Sequence, residues 1–254
     1  MNKRENGFSK KGELAIMTGN ANPDLVQKVA KILGEDLFLR TQIGSFRDKE
    51  CRIISVDDAR GRDVYLIQPT GQPDRNLVEI ELLVGAIRRS AEKITVVIPY
   101  FGYSRQERRG ESRQPISINS VMRRLVGTGI DGLVFFHLHN PVSAGIPEAI
   151  DPHMKVDHLN ARTIILDYLM KSRNLKKTTI ASADVGGTAF ARSCWQRLHA
   201  AAPKVGFGLA YKVGTSSTGI EEVKLFGDYR GREVVFIDDM TTQRRYDHQG
   251  QQGG

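Results

Sequence analysis

The chain has 254 residues, of which 40% are hydrophobic and 26% are charged, a composition typical of a globular protein with one large or two ordinary domains. No apolar run reaches the roughly 18 residues that a membrane helix requires, and the start MNKRENGFSKKG lacks the apolar core of a secretory signal. We therefore expect a cytoplasmic protein with no membrane partner.

The net charge of +8 favours anionic partners, which include nucleotides, sugar phosphates and nucleic acids. Aromatic residues make up only 7% of the chain, and no recognition helix or aromatic-basic stretch is evident, so nucleic-acid binding is disfavoured. The two cysteines, Cys51 and Cys194, lie far apart without metal-ligand spacing, which argues against a zinc site or a disulfide. Small phosphorylated ligands are the preferred partners.

Strands and helices alternate through the first half of the chain. The runs ELAIMTGN, CRIISVDD and RDVYLIQPT predict three strands. Apolar residues at a helical period predict a helix over 23–33 and a second over 76–91, with Asn76 as the expected N-cap. The nearly unbroken β-branched run over 93–103 predicts a strand that is covered on both faces.

The same alternation continues to the end of the chain and predicts an α/β architecture with mainly parallel sheets. Such sheets bind ligands at the carboxyl ends of their strands. The apolar strands VVIPYFGYSR and VVFIDDMTTQR each lead into a polar loop, which suggests a duplicated domain with a boundary near 156–162. The remaining elements are helices near 117–126, 163–171 and 188–199 and the strands GLVFFHLH, TTIASAD, KVGFGLAYKV, VKLFGD and EVVFIDD.

Four arginines, Arg105, Arg108, Arg109 and Arg113, follow the strand over 93–103 within nine positions. Guanidinium groups pair with phosphate oxygens and stabilise negative charge during phosphoryl transfer, so this loop is a candidate triphosphate site. A solvated basic loop is the structural alternative. Its place at the end of a buried strand favours the functional interpretation.

Two further strand ends carry candidate ligands. The strand GLVFFHLH puts His137 and His139 on the same face, so both can share a ligand, although a lone buried histidine is more often a core residue. Asp184 precedes Gly186 and Gly187 at a helix start, where close backbone approach and the helix dipole favour an anion. A simple tight turn would have the same sequence pattern.

A third strand end carries paired carboxylates. Four apolar residues lead directly into Asp238 and Asp239, which is how a buried strand delivers acidic groups to a ligand crevice. The following residues, 241–254, are polar and contain no glycine before Gly250.

The segments IPYFGYSRQERR, RQPIS, HLH, VDHL, SADVGG and VVFIDDM, in this order, resemble the ribose-phosphate pyrophosphokinase family over about 14–240. The resemblance implies two tandem phosphoribosyltransferase-like domains, residues 13–160 and an incomplete second domain over 161–240, followed by a disordered tail over 241–254. It implies transfer of pyrophosphate from ATP to the C1 hydroxyl of ribose 5-phosphate with Mg²⁺. It also implies a homo-oligomer built from dimers, up to a hexamer.

The resemblance assigns roles to individual residues in each half of the chain. For ATP it implies Arg105 and Gln106, together with an adenine-side segment that reaches a neighbouring subunit. His139 and Asp184 are the implied metal ligands, and Lys212 is the implied catalytic-loop cation. The adenine-side segment contains Phe46, Asp48 and Glu50, and the residues implied for ribose 5-phosphate are Asp184, Asp238 and Asp239.

The chain departs from the family pattern at three places. His137 stands where the family usually has an aspartate, which lowers the negative charge expected near the metal. Lys212 is followed by valine and glycine instead of arginines, which removes a cation expected to stabilise the transferred group. After Met240 the expected Thr/Gly-rich phosphate loop is replaced by polar sequence, as in a frameshift, a truncated gene or a degenerate copy.

These departures leave more than one function open. The first is the enzyme, with impaired activity. The second is a non-catalytic subunit, similar to pyrophosphokinase-associated proteins, that acts by forming complexes with active subunits. Nucleic-acid binding through the basic loop is the third and the least favoured.

Overall fold

The structure is a computed structural model that describes residues 12–216 and 219–240, with side chains except at residue 55 and residues 212–223. The chain divides between Asn160 and Ala161 into two compact units. Within the described ranges, no helix is long and apolar enough to cross a membrane. The tail expected over 241–254 and the segment compared with the phosphate loop lie outside the described residues.

The first unit contains a five-stranded sheet in which every pair of neighbouring strands is parallel, in the order β1-β4-β5-β6-β7. Parallel strands require crossover connections, and helices supply most of them here. The sheet strands are β1 (Glu13–Thr18), β4 (Arg62–Ile67), β5 (Lys93–Ile98), β6 (Gly132–Phe136) and β7 (Lys155–Leu159). The helices of this unit are α1 (Pro23–Leu33), α2 (Arg75–Ile87), α3 (Ser117–Gly127) and α4 (Ile146–Ile150).

The main core of the first unit lies between the sheet and the helices α2 and α3. Ile80 and Leu83 of α2 and Met122 of α3 are fully buried in it with Ile94 and Val96 of β5. On its other side, α1 packs in a smaller cluster against β1 and β4. The central strands are therefore fixed, and their carboxyl ends lead into the loops that carry the candidate ligands.

Between β1 and β4 the chain forms a separate antiparallel hairpin of β2 (Thr41–Ser45) and β3 (Cys51–Val56). Ile43 and Ile53 pack against the main core, whereas residues 45–50 at the tip are exposed. The base of the hairpin is thus held by the unit while its tip extends into solvent.

The second unit contains a four-stranded sheet in the order β10-β9-β8-β11. β8 pairs in parallel with both β9 and β11, and only the pair of β9 with β10 is antiparallel. A core that includes Leu166, Ile180 and Leu198 joins the sheet to two helices. The elements are α5 (Arg162–Ser172), β8 (Thr178–Ser182), α6 (Thr188–Ala201), β9 (Gly206–Ser216), β10 (Gly219–Gly227) and β11 (Glu233–Ile237).

The mainly parallel α/β architecture predicted from the sequence is confirmed, with two local corrections. Asn76 does not cap α2; the capping position is Asp74, and Asn76 is buried in the first turn, where Nδ2 donates to the Gly71 carbonyl at 2.7 Å. β6 ends at Phe136, so His137 and His139 do not lie on a strand. His137 has a φ of 52°, which ends the alternation of side chains on which the shared-face prediction depended.

Candidate functional site

The loop after β5 carries Arg105 and Gln106, and both side chains are exposed. Gln106 is held at two points by the start of α3. The Ile118 N–H donates to the Gln106 carbonyl at 3.4 Å, and the Ser117 hydroxyl donates to Gln106 Oε1 at 2.6 Å. The first turn of α3 therefore fixes the backbone of Gln106, while the Arg105 side chain remains available to an anionic ligand.

The same loop is also held by the loop that follows β4. Gly102 N–H donates to Thr70 Oγ1 at 2.8 Å, and the Tyr103 hydroxyl donates to Asp74 Oδ1 at 2.7 Å. This contact with Asp74 is the main reason that the pKa of Tyr103 is raised. A Cβ atom at Gly102 would collide with the Thr70 carbonyl oxygen, so the two loops touch through their backbones.

The remaining arginines of the cluster lie farther along the loop and are also exposed. Gln114 closes this part of the loop, because its Oε1 accepts from the Gly110 and Glu111 N–H groups at 3.0 and 3.2 Å. Arg109 Nε donates to the Gln114 carbonyl at 3.1 Å. The structure therefore keeps the predicted basic loop at the carboxyl end of β5. Its exposed arginines are Arg105, Arg108, Arg109 and Arg113.

The loop after β6 carries His139, whose side chain is exposed, and the half-buried His137. The backbone between them is fixed by β7, because the Leu138 N–H donates to His158 Nε2 at 3.0 Å. Partial burial lowers the pKa of His158, which favours the neutral ring that can accept this bond at Nε2. His158 thus supports the loop from which His139 projects.

Phe46, Asp48 and Glu50 all lie at the exposed tip of the β2–β3 hairpin. The tip is a tight turn in which the Phe46 N–H donates to the Glu50 carbonyl at 3.0 Å, and Asp48 Oδ1 accepts from the Glu50 N–H at 3.1 Å. The Arg52 guanidinium lies 5.1 Å from the centre of the Phe46 ring, in cation–π range. The three residues predicted for the adenine side are therefore close together in this structure.

In the second unit, Asp184 follows β8 and precedes α6. Its Oδ1 accepts from the Gly187 N–H at 2.9 Å, and its carbonyl accepts from the Ser182 hydroxyl at 2.6 Å. Gly187 occupies the capping position of α6, so the carboxylate lies at the positive end of a 14-residue helix. The turn predicted from SADVGG is therefore a helix start with an acidic side chain folded over it.

Asp238 and Asp239 follow β11, which pairs with β8, so they lie at the same sheet edge as Asp184. The Asp239 N–H donates to Asp238 Oδ1 at 2.9 Å. Partial loss of hydration raises the pKa of Asp238, and the adjacent Asp239 and the charge of Asp184 raise it further. Concentrated negative charge of this kind favours hydroxyl donors or a cation.

The carboxylates at this sheet edge fit magnesium only if water and substrate supply its other ligands. Among the side chains that the structure describes, no three histidine, cysteine or acidic groups converge as a metal site. Mg²⁺ commonly binds to one or two carboxylates and takes its other ligands from water and substrate phosphates, which the carboxylates of Asp184 and Asp238 can satisfy. Lys212 lies on β9, but its side chain is outside the described part of the chain.

Sequence reasoning missed the residues that support the site. Thr70, Asp74 and Tyr103 hold the loop after β5, and Ser117 holds Gln106. The run of polar residues that follows β4 was a usable signal, because polar groups at a strand end commonly support a ligand loop. Their partners lie 11 to 32 positions away in sequence, so the pairing itself was not evident.

Three comparisons with known proteins agree on a family. Residues 14–129 match the model of the N-terminal domain of ribose phosphate pyrophosphokinase. The chain is 37% identical over 237 residues to a ribose-phosphate pyrophosphokinase of Synechocystis sp., covering 92% of this chain and 67% of the relative. It is 36% identical over 230 residues to the chloroplastic ribose-phosphate pyrophosphokinase 1 of Arabidopsis thaliana, covering 89% of this chain.

The fold agrees with a solved structure of the same kind. The crystal structure of phosphoribosylpyrophosphate synthetase from Mycobacterium smegmatis superposes with a TM-score of 0.75 at 26% identity, covering 89% of this chain and 71% of that chain. The chain spans only 55% of the length of the Arabidopsis relative. With the Synechocystis relative matched over two thirds of its length and the fold shared, the chain belongs to the ribose-phosphate pyrophosphokinase family.

Proposed function

We propose that the protein is a ribose-phosphate pyrophosphokinase that transfers the β,γ-pyrophosphoryl group of ATP to ribose 5-phosphate. The C1 hydroxyl oxygen attacks the β-phosphorus, the bond from that phosphorus to the α,β-bridging oxygen breaks, and AMP leaves. The hydroxyl proton is released, and the products are phosphoribosyl pyrophosphate and AMP. The names of the family relatives support this reaction.

The observation that carries the proposal is the acidic sheet edge of the second unit. Asp184 lies at the start of α6, and its charge contributes to the raised pKa of Asp238. Ionised carboxylates accept hydrogen bonds from sugar hydroxyls, and the adjacent helix start favours an anion such as a phosphate. We therefore assign ribose 5-phosphate to Asp184, Asp238 and Asp239.

The first unit offers the groups proposed for ATP. The exposed Arg105 and the fixed Gln106 suit the triphosphate, while Phe46 presents an aromatic ring for adenine beside Asp48 and Glu50. We infer from the resemblance that this hairpin tip reaches a neighbouring subunit's site, and we therefore propose a homo-oligomer built from dimers. A dimer or hexamer in the cytoplasm completes the proposal, and sedimentation velocity of the purified protein tests the assembly.

Phosphoryl transfer needs cations near the transferred group more than it needs a covalent nucleophile. Mg²⁺, when bound, would neutralise phosphate charge and polarise the β-phosphorus. Asp184 is the carboxylate proposed to hold it, with His139 as the ligand proposed in the first unit. Lys212 is the proposed cation for the charge that develops on the transferred group.

A second function, a non-catalytic subunit that acts in complexes, is favoured by one specific observation. Lys212 is followed by Val213 and Gly214, so the sequence lacks the further arginine cations that the resemblance implies at this loop. Removal of such a cation costs on the order of 10³-fold in rate. A subunit of this kind would keep the fold and the oligomer surfaces without turnover.

AMP formation from ATP and ribose 5-phosphate, with and without Mg²⁺, tests the two functions. We expect Mg²⁺-dependent AMP in the wild type and a loss of about 100-fold or more in Asp238→Asn, because the substitution removes an acceptor for the sugar hydroxyls. Arg88→Gln, which removes an arginine paired with Asp131 at the amino end of β6, serves as the control and should retain activity. If the wild type forms no AMP and co-purifies with an active homologue, the result would favour the second function.

A further inference from the structure

Arg75, in the first turn of α2, connects that helix to the β2–β3 hairpin. Its Nη1 donates to the Ser45 hydroxyl and its Nη2 donates to the Gly44 carbonyl. These partners lie 30 and 31 positions earlier in the chain, at the end of β2, next to the tip that carries Phe46. Arg75 therefore joins the last two residues of β2 to the body of the first unit.

Glu79 sets the direction of the Arg75 side chain. Its Oε1 accepts from Arg75 Nε at 3.2 Å, one helical turn away, and only 2% of the Glu79 side chain is exposed. Glu79 also accepts from the Asn20 N–H at 2.8 Å and from Gln68 Nε2 at 3.1 Å, which are groups of the loops after β1 and β4. A buried carboxylate that accepts this many hydrogen bonds is held in one position, so it presents a rigid partner to the guanidinium.

The residue before Arg75 serves the other proposed ATP segment. Asp74 accepts the hydrogen bond of the Tyr103 hydroxyl, two positions before Arg105. Consecutive residues at the start of one helix thus contact both the hairpin and the loop after β5. The relative placement of these two segments depends on the first turn of α2, which the buried face of that helix holds in the core.

We propose that Arg75 is a positioning residue for nucleotide binding, which holds the end of β2 so that Phe46, Asp48 and Glu50 keep the orientation that ATP requires. This inference rests on the proposed function for its ligand and on the Arg75 contacts for its mechanism. Arg75 itself is directed at the hairpin backbone and at Glu79. Its effect on ATP is therefore indirect, through the geometry of the tip.

The contacts also make Arg75 separable from folding. Its side chain is 31% exposed, whereas Ile43 and Ile53 attach the hairpin to the core independently of it. After Arg75→Gln, Glu79 keeps its donors from Asn20 and Gln68, so it is not left as an unpaired buried charge. We expect the variant to fold with the hairpin attached at its base and loosened near its tip.

The experiment compares Arg75→Gln, Arg75→Lys and the matched control Arg88→Gln. Arg88 follows the opposite end of α2, is 35% exposed and donates to Asp131 at 2.6 Å, so the control removes a similar arginine contact without touching the hairpin or the loop after β5. Amide hydrogen exchange over residues 41–56 reads the mobility of the hairpin. Calorimetric titration with ATP and, separately, with ribose 5-phosphate measures the Kd of each ligand.

For Arg75→Gln we expect exchange over 41–56 to be about tenfold faster and the Kd for ATP to rise about tenfold, as the loss of charge-assisted hydrogen bonds predicts. The Kd for ribose 5-phosphate should stay within about twofold, because its proposed ligands lie in the second unit. Arg75→Lys should recover part of both effects, since it keeps the charge but loses the forked geometry. Arg88→Gln should change neither.

Unchanged hydrogen exchange in Arg75→Gln, or an equal rise in the Kd for both ligands, would overturn the inference while leaving the proposed function intact. A wild type that forms no AMP but binds ATP would overturn the catalytic proposal alone, and the exchange and ATP titrations would still decide the role of Arg75. A wild type that binds no ATP would overturn both the assignment of ATP to the first unit and the proposed role of Arg75.

Discussion

Gly187 lies between the carboxylates of Asp184 and Asp238, which approach each other from different strands of the second sheet. A Cβ atom built on Gly187 would be 3.4 Å from Asp238 Oδ1 and 3.7 Å from Asp184 Oδ1. It would also be 3.1 Å from Ser182 Oγ, whose hydrogen bond to the Asp184 carbonyl holds it in place. The absence of a side chain at this position keeps the space between the two acidic groups open to a ligand.

Gly187→Ala should therefore weaken the binding of ribose 5-phosphate more than it lowers the stability of the fold. The φ of Gly187 is −76°, which alanine adopts freely, so the cost comes from the 3.1 Å contact with Ser182 Oγ, and we expect the free energy of unfolding to fall by no more than about 1 kcal/mol. The added methyl group should raise the Kd for ribose 5-phosphate about tenfold by occupying the space between the two carboxylates. Titration calorimetry and urea unfolding measure the two effects, and unchanged affinity would contradict the proposed place of the ligand.

The stability of the first unit should depend on the titration of His158. Partial burial lowers its pKa below the ordinary histidine value of about 6.5, so between that value and the lower folded pKa the unfolded chain binds a proton that the folded chain does not. The contribution of His158 is complete above about pH 6.5 and decreases as the pH falls. Urea unfolding followed by far-UV circular dichroism at pH 7.5 and at pH 5.5 measures this decrease.

His158→Gln isolates this effect, because glutamine keeps an acceptor for the Leu138 N–H but does not titrate in this range. The variant should lose less stability than the wild type between the two pH values. His153→Gln, at an exposed histidine outside these contacts, is the control and should retain the wild-type dependence. An identical pH dependence in wild type and His158→Gln would refute the prediction.

Two glycines of the first unit should respond to alanine in opposite directions. Gly85 is an exposed residue of α2 with no heavy atom within 4 Å of a built Cβ, so Gly85→Ala should stabilise by about 0.5–1 kcal/mol through helix propensity. At Gly102 the Cβ would collide with the Thr70 carbonyl oxygen, and Gly102→Ala should destabilise by about 1–3 kcal/mol. Urea midpoints at constant m measure both changes.

Gly102→Ala should also impair ATP binding, since the same contact holds the loop of Arg105 and Gln106. Gly85→Ala should leave ATP binding unchanged. Equal stability of the two variants would mean that the loops after β4 and β5 can move apart without lowering the free energy of unfolding.

The second unit should unfold before the first. Its core is smaller than that of the first unit among the described residues, and Phe236 of β11 is 50% exposed. The protein has one tryptophan, Trp195, which packs against Phe207 and donates from Nε1 to the Val205 carbonyl within the second unit. We expect the fluorescence midpoint of Trp195 in urea to precede that of the far-UV signal by about 0.5 M or more.

Limited proteolysis provides the check on this order of unfolding. Early cleavage should fall after about residue 160 and leave the first unit intact. Coincident fluorescence and circular dichroism midpoints, or cleavage that begins within the first unit, would contradict a less stable second unit.

The elements with strong local signals were predicted from the sequence with nearly correct bounds. The helix expected over 23–33 is α1, because Pro23 starts it and Asn22 Oδ1 accepts from the Leu25 N–H. The start of α2 was placed wrongly because both Asp74 and Asn76 are residues that favour a cap. The contact of Asp74 with Tyr103, which lies 29 positions away, is a feature that local sequence does not carry.

The error at His137 has a similar physical cause. The end of β6 is set by β7, since the His137 N–H donates to the Leu159 carbonyl and the Leu138 N–H donates to His158. β7 was not predicted because it is an edge strand whose positions are exposed or half-buried, so it lacks an apolar run. The ligand residues were accessible as motifs, whereas their supports depend on such nonlocal pairings.

β1 and β4 are direct neighbours in the sheet, although the hairpin and α1 separate them in sequence. The hydrogen bonds of the sheet therefore close without any contribution from β2 or β3. Substitutions at the hairpin tip can accumulate during evolution without disturbing the strands that fold the unit. In the proposed function, substitutions at Phe46, Asp48 or Glu50 would therefore change the recognition of the nucleotide base at little thermodynamic cost, as long as Arg75 keeps its contacts with the end of β2.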